Sequence, residues 1–183
     1  MSFVALMVVI LCGHLNLAKA QSQQGSIEIK NLSAQQTEEG VYLQFNLWVQ
    51  LPSVAEDALK RGVPLYFVAW ADIYRSRWYW FDQRIGGDKK TWRLSYQPLT
   101  GQYRVSLGGL AQNFSQLRDV LATISQASQW QVCESNQIIP TEKHHIEFSW
   151  KLDTSQLPSP LQLGIANSTS EWSMSLERRL PLN

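Results

Sequence analysis

The chain has 183 residues, of which 44% are hydrophobic and 17% are charged, and its formal net charge is +1. This length fits one domain, and the hydrophobic fraction is too high for a disordered chain. The near-neutral charge excludes a nucleic-acid binder that depends on bulk positive charge. The unusual feature of the composition is its eight tryptophans.

The N-terminus carries an apolar run over residues 3–11, followed by Ala18, Lys19 and Ala20. An apolar run ahead of a small-x-small triplet is typical of a secretory signal peptide, and this one is too short to span a bilayer. We expect cleavage after Ala20, a mature domain over residues 21–183, and a periplasmic or secreted location. An uncleaved N-terminal membrane anchor is the alternative.

The first two predicted strands form a hairpin. Apolar and polar residues alternate over residues 41–49, which is the pattern of a half-buried strand. A shorter alternation at Ile27 and Ile29 precedes it, and residues 37–40 have the composition of the turn between them.

A short helix and a central strand are predicted next. Ser53 and Glu56 have the spacing of a capping box, and Gly62 suits the end of a helix that runs to Lys60. Residues 65–73 are apolar at nearly every position, which indicates a strand covered on both faces.

A turn and a second hairpin are predicted in the middle of the chain. Residues 85–88 have the composition of a turn. Alternation over residues 92–96 and 103–107, with a turn at residues 98–101, predicts two paired strands.

The last predicted elements are one helix and three strands. Apolar residues over 114–124 fall on one helix face, with Asn113 as the N-cap, and strands are predicted over residues 130–133, 146–152 and 172–176. About eight strands with one or two short helices predict a mainly β domain, an antiparallel β-sandwich of immunoglobulin-like type. A closed barrel with an internal cavity is the alternative.

The residues offer little for catalysis. The mature chain would keep one cysteine, Cys133, which we interpret as a buried, inert thiol, and the histidines His144 and His145. Adjacent side chains of a strand point to opposite faces, so these histidines are not expected to share a metal ion. We therefore predict no catalytic residue, metal or cofactor, which weighs against an enzyme.

One segment, residues 75–104, is both basic and aromatic. It holds seven basic residues against Asp82 and Asp88, which gives 7 − 2 = +5. Trp, Tyr and Arg dominate binding hot spots, so the segment could bind an anionic peptide, a glycan or a membrane. Alternatively, its aromatic residues fill the core. The candidate partner-binding residues are Arg75, Arg77, Trp78, Tyr79, Trp80, Arg84, Arg93 and Arg104.

Several longer motifs resemble a known family. They lie at residues 62–67, 77–80, 94–96, 102–110 and 152–160. Together they resemble the bacterial domain-of-unknown-function family numbered 4390 over about residues 26–176. The resemblance implies an exported protein of a Gram-negative bacterium without an assigned reaction. It also implies an envelope partner such as a membrane sensor kinase.

Two classes of function follow. The first is a non-enzymatic binding or accessory domain for an envelope or membrane-protein partner. The alternative is a small-ligand or lipid carrier with tryptophans lining a cavity, or an unrecognised hydrolase.

Overall fold

A computed structural model describes residues 24–139, 141–158 and 172–182. The predicted signal peptide and its cleavage site lie outside the described residues. The α-helices with described bounds are α1 (Ser53–Lys60) and α2 (Leu117–Ile124), and short 3-10 helices lie at Ser135–Gln137 and Thr154–Gln156. The strands are β1 (Ser26–Gln36), β2 (Gly40–Gln50), β3 (Leu65–Arg75), β4 (Gln83–Gln97), β5 (Gln102–Leu107), β6 (Leu110–Phe114), β7 (Gln126–Glu134), β8 (His144–Leu152) and β9 (Ser175–Leu182).

The strands form two antiparallel sheets. One has the order β1-β2-β7 and the other the order β6-β5-β4-β3-β8-β9. The mainly β sandwich is therefore confirmed, and the strands that the structure describes form two sheets rather than one closed barrel. Strand β3 lies between β4 and β8, as its continuous apolar run predicted.

The core lies between the sheets and is rich in aromatic rings. Phe45 of β2 packs on Phe148 of β8 with ring centroids 5.1 Å apart, which joins the two layers. The Trp130 indole N–H on β7 donates to the Asp88 carboxylate on β4 at 2.6 Å. Burial of this kind holds a domain of this size without a disulfide, and Cys133 is free and buried as predicted.

Helix α1 begins differently from the prediction. Its N-cap is Pro52, whose carbonyl accepts hydrogen bonds from the backbone N–H groups of Ala55 (3.0 Å) and Glu56 (3.1 Å). The capping box is therefore wrong, because Ser53 already lies inside the helix. The predicted end is confirmed, since Gly62 follows the helix with a φ of +89°.

Two boundaries in the middle of the chain are also wrong. Residues 85–88 belong to β4 rather than to a turn, and Gly87 lies opposite Asp72. A Cβ on Gly87 would lie 2.3 Å from the Asp72 carboxylate, so this glycine permits close approach of a neighbour. Phe114 belongs to β6, where it pairs with Tyr103, and helix α2 begins only after Gln116.

The tryptophans divide into two groups. Trp92, Trp130, Trp150 and Trp172 are buried, as expected of core residues. Trp48 is 44% exposed, because it occupies an outward position of β2. Trp70 is half-buried, beside lysines rather than in the core.

The last strand starts at Ser175, later than predicted.

Candidate binding site at the β3–β4 hairpin

The loop that joins β3 to β4 carries four consecutive exposed aromatic residues. The last residue pair of the hairpin ladder is Arg75 with Gln83. Beyond it, the exposed fractions are 93% for Trp78, 70% for Tyr79, 69% for Trp80 and 86% for Phe81. We call residues 78–81 the aromatic tip. Because these four rings are exposed, the alternative that the aromatic residues of the basic segment fill the core is wrong for residues 78–81.

Two of the predicted binding arginines hold the loop. One guanidinium nitrogen of Arg75 donates to Glu142 at 2.9 Å, and the guanidinium groups of Arg75 and Arg77 both donate to the Gln83 side-chain carbonyl. The backbone N–H of Arg77 donates to the Asp82 carboxylate at 3.3 Å. These contacts brace the base of the aromatic tip.

The buried side chain of His145 also supports the loop. Its Nδ1 lies 3.1 Å from the hydroxyl oxygen of Ser76, and the Ser76 backbone N–H donates to the carbonyl of Lys143 at 2.9 Å. The ring of Tyr74 stacks on the imidazole at 5.5 Å with an interplanar angle of 12°. The loop is therefore fixed to strand β8 and to the residues before it.

The other imidazole nitrogen has carboxylates near it but no hydrogen bond. The Nε2 atom of His145 lies 3.7 Å from an oxygen of Asp82 and 3.7 Å from an oxygen of Glu147. Arg179 binds Glu147 at 2.6 Å and lies 3.9 Å from Asp82. Burial, followed by the charge of Arg179, lowers the pKa of His145, although the two carboxylates act in the opposite direction.

The remaining predicted site residues are not all near the tip. Arg84 is paired with Asp72 at 2.8 Å, and this contact raises the pKa of Arg84. Arg93 lies 93 − 84 = 9 residues further along β4, about 30 Å at the usual rise of a strand. Arg104 is its diagonal neighbour on β5, because Arg93 faces Ser106 and Arg104 faces Ser95. The structure therefore gathers six of the eight residues at the hairpin end and leaves Arg93 and Arg104 apart.

Lys89 and Lys90 of the basic segment, and Lys151 of β8, contact tryptophan rings. Lys89 and Lys151 lie 5.2 and 4.6 Å from the ring centroid of Trp70, and Lys90 lies 5.4 Å from that of Trp130. Such cation–π contacts stabilise charge at a sheet surface. The excess positive charge of residues 75–104 is thus distributed along β4 and β5 and does not form one patch around the tip.

An apolar groove lies at the other end of the sandwich. Leu47, Val49, Leu117 and Leu121 contribute to its lining, Trp48 contributes an exposed ring, and its volume is about 550 Å³. Gln126, at the start of β7, lines this groove, whereas Cys133, near the end of β7, lies beside Gly86 of β4. The groove and the β3–β4 loop are therefore at opposite ends of β7. This groove is the feature that favours a carrier function.

A family model described as "Domain of unknown function (DUF4390)" matches residues 24–180. No curated protein and no solved structure matches the chain. Within the part of the chain that the structure describes, no helix is long and apolar enough to cross a membrane. In the same residues, no group of three or more His, Cys, Asp or Glu side chains is placed to hold a metal ion.

Proposed function

The chain belongs to the DUF4390 family, and we propose that it is an exported, non-enzymatic binding domain that contacts an envelope partner through the aromatic tip. The observation that carries this proposal is the exposure of four consecutive aromatic rings, from 69% to 93%. Contiguous exposed apolar surface marks interaction sites, and Trp and Tyr are the residues that most often dominate binding energy.

The way the loop is held supports this role. Arg75, Arg77 and Ser76 bind Glu142, Gln83 and Lys143, so both arms of the hairpin and the segment before β8 fix the loop. A preorganised loop loses less conformational entropy when a partner covers its rings. Export is supported by the apolar run and the small-residue triplet near the N-terminus. An exported domain meets envelope partners, among them the outer part of a membrane sensor kinase.

A sedimentation experiment tests the proposal. The aromatic tip is replaced by serine in the variant W78S/Y79S/W80S/F81S. Leu99 at the β4–β5 turn and Leu110 at the start of β6 are 101% and 79% exposed, and they provide the control variant L99S/L110S. We expect wild type and control to co-sediment with an envelope fraction and the serine variant to remain in the supernatant. Equal sedimentation of all three proteins would contradict the proposal.

A hydrolase is the second candidate, because Ser76, His145 and the carboxylates form a nucleophile–base–acid sequence in space. Two observations rank it below binding. The 3.7 Å separation of Nε2 from Asp82 and from Glu147 exceeds a hydrogen bond, and Arg179 engages both carboxylates. Labelling by a fluorophosphonate probe that disappears in Ser76→Ala would support hydrolysis, and no labelling of wild type would exclude this serine as the nucleophile.

A carrier function rests on the groove beside Trp48. Binding of a fatty acid there should change the fluorescence of wild type and not that of Trp48→Phe. An identical response from both proteins would show that this groove is not the binding site.

A further inference from the structure

We propose that the aromatic tip inserts into the interfacial region of a lipid bilayer, an inference that rests on the proposed function and names its partner. The four rings belong to consecutive residues, and each is at least 69% exposed. Each of the four residues therefore presents more than half of its surface to solvent. A folded protein would cover such a loop only with a deep pocket, whereas a fluid interface surrounds it from every side.

The residue types match that medium. The rings of Trp78, Tyr79 and Trp80 combine an apolar body with an N–H or O–H donor, and such side chains concentrate at the boundary between headgroups and acyl chains. The Phe81 side chain has no polar group, so it suits a position deeper among the acyl chains. Only Trp78 and Tyr79 contact each other within the described tip, with centroids 5.1 Å apart. Most of their ring surface is therefore free for lipid.

The charges around the tip predict a weak dependence on lipid charge. Arg75 is paired with Glu142 and Arg84 with Asp72, so a carboxylate of the protein already balances the charge of each arginine. Arg77 has the neutral Gln83 side chain as its guanidinium partner. It lines, with Lys143, a surface depression of about 640 Å³ beside the tip. We expect anionic lipid to raise the partition coefficient by about tenfold, as expected for one or two basic residues at the surface.

The position of the tip also fixes the orientation of a bound domain. Strand β1 begins at Ser26, opposite Gln50 of β2, at the groove end of the sandwich. The 11 residues of β2 span about 36 Å. A domain that inserts its tip therefore directs Gln24 away from the bilayer.

The test uses sucrose-loaded vesicles of phosphatidylcholine, with and without phosphatidylglycerol. Wild type and L99S/L110S should co-sediment with both, and W78S/Y79S/W80S/F81S should lose at least about tenfold in partition coefficient, given the interfacial preference of these rings. Brominated lipid should quench the fluorescence of Trp48→Phe as it quenches wild type. In W78F/W80F most of that quenching should disappear.

The outcomes separate this inference from the proposed function. Failure of wild type to bind any vesicle overturns bilayer insertion. If binding to the envelope fraction requires the tip but disappears after protease digestion of that fraction, the partner is a protein. The bilayer inference is then wrong while the proposed function stands. If the serine variant binds the envelope as wild type does, both are wrong.

Discussion

The guanidinium of Arg75 and the carboxylate of Glu142 lie 2.9 Å apart, and this ion pair joins the base of the loop that carries the aromatic tip to the segment before β8. This contact changes the role of an arginine that the sequence placed on the partner-facing surface. Reversing the charge of Arg75 or Arg77 would disturb the base of the loop, so lost binding in such variants would not identify the contact surface. Substitution of the exposed rings tests that surface directly.

Replacing the four aromatic rings should leave the fold intact. Because Trp78, Tyr79, Trp80 and Phe81 are exposed, each substitution in W78S/Y79S/W80S/F81S should change the free energy of unfolding by about 0.5 kcal/mol or less, which is about 2 kcal/mol or less for the four together. Urea unfolding followed by circular dichroism measures this. A loss of several kcal/mol would show that the rings pack on the domain, which would remove the basis of the proposed site.

Gly40 should be far less tolerant of alanine than Gly108. Gly40 has a φ of +151°, and a Cβ there would lie 2.1 Å from the carbonyl oxygen of Cys133, whereas nothing lies within 4 Å of a Cβ on Gly108. Gly108→Ala should cost about 1 kcal/mol from its left-handed backbone alone. Gly40→Ala should cost about 3 kcal/mol or more, because β2 and β7 must separate. Equal losses in urea unfolding would contradict this account of the β2–β7 pairing.

The thiol of Cys133 should be unreactive in the native protein. It is buried, its Sγ donates to the Gln137 side chain at 2.9 Å, and burial together with Glu134 raises its pKa. Because the thiolate is the reactive form, Ellman's reagent at pH 8 should modify native protein at least about a hundredfold more slowly than urea-unfolded protein. Similar rates in both states would show that the thiol is accessible.

His145 should make stability depend on pH. Burial and Arg179 lower its pKa in the fold below the ordinary value of 6.5. As the pH falls through 6.5 toward the folded value, the unfolded chain binds the proton first, so the free energy of unfolding decreases. The stability difference between wild type and His145→Gln should therefore shrink from pH 7.5 to pH 5.5. A difference that grows on acidification would mean that Asp82 and Glu147 outweigh burial.

The sandwich could be predicted because its strands alternate regularly. Residues 41–49 and 146–152 place every second side chain in the core, and the apolar run of β3 identified the central strand. The strand and helix boundaries that were predicted wrongly depend on contacts between residues that are distant in sequence. Residues 85–88 have the composition of a turn but continue β4, because Gly87 makes room for Asp72. Phe114 fits the helical spacing but pairs with Tyr103 in β6.

The four aromatic residues of the candidate site could be predicted from the sequence, but the contacts that hold their loop could not. Four consecutive aromatic residues cannot all occupy one face of a strand, which is a local signal that the sequence carries. The contacts of Ser76 with His145 and of Arg75 with Glu142 join residues that are 69 and 67 positions apart. They depend on the pairing of β3 with β8. The sequence contains both partners of each contact but no pattern that relates them.

Site-specific photocrosslinking can show whether the aromatic tip contacts the partner. A benzophenone amino acid at position 80, in the aromatic tip, is compared with the same group at position 99, which is fully exposed at the β4–β5 turn. After irradiation with an envelope fraction, we expect crosslinks to envelope components, lipid or protein, from position 80 and none above background from position 99. Equal crosslinking from the two positions, or none from position 80, would contradict the assignment of the aromatic tip as the binding element.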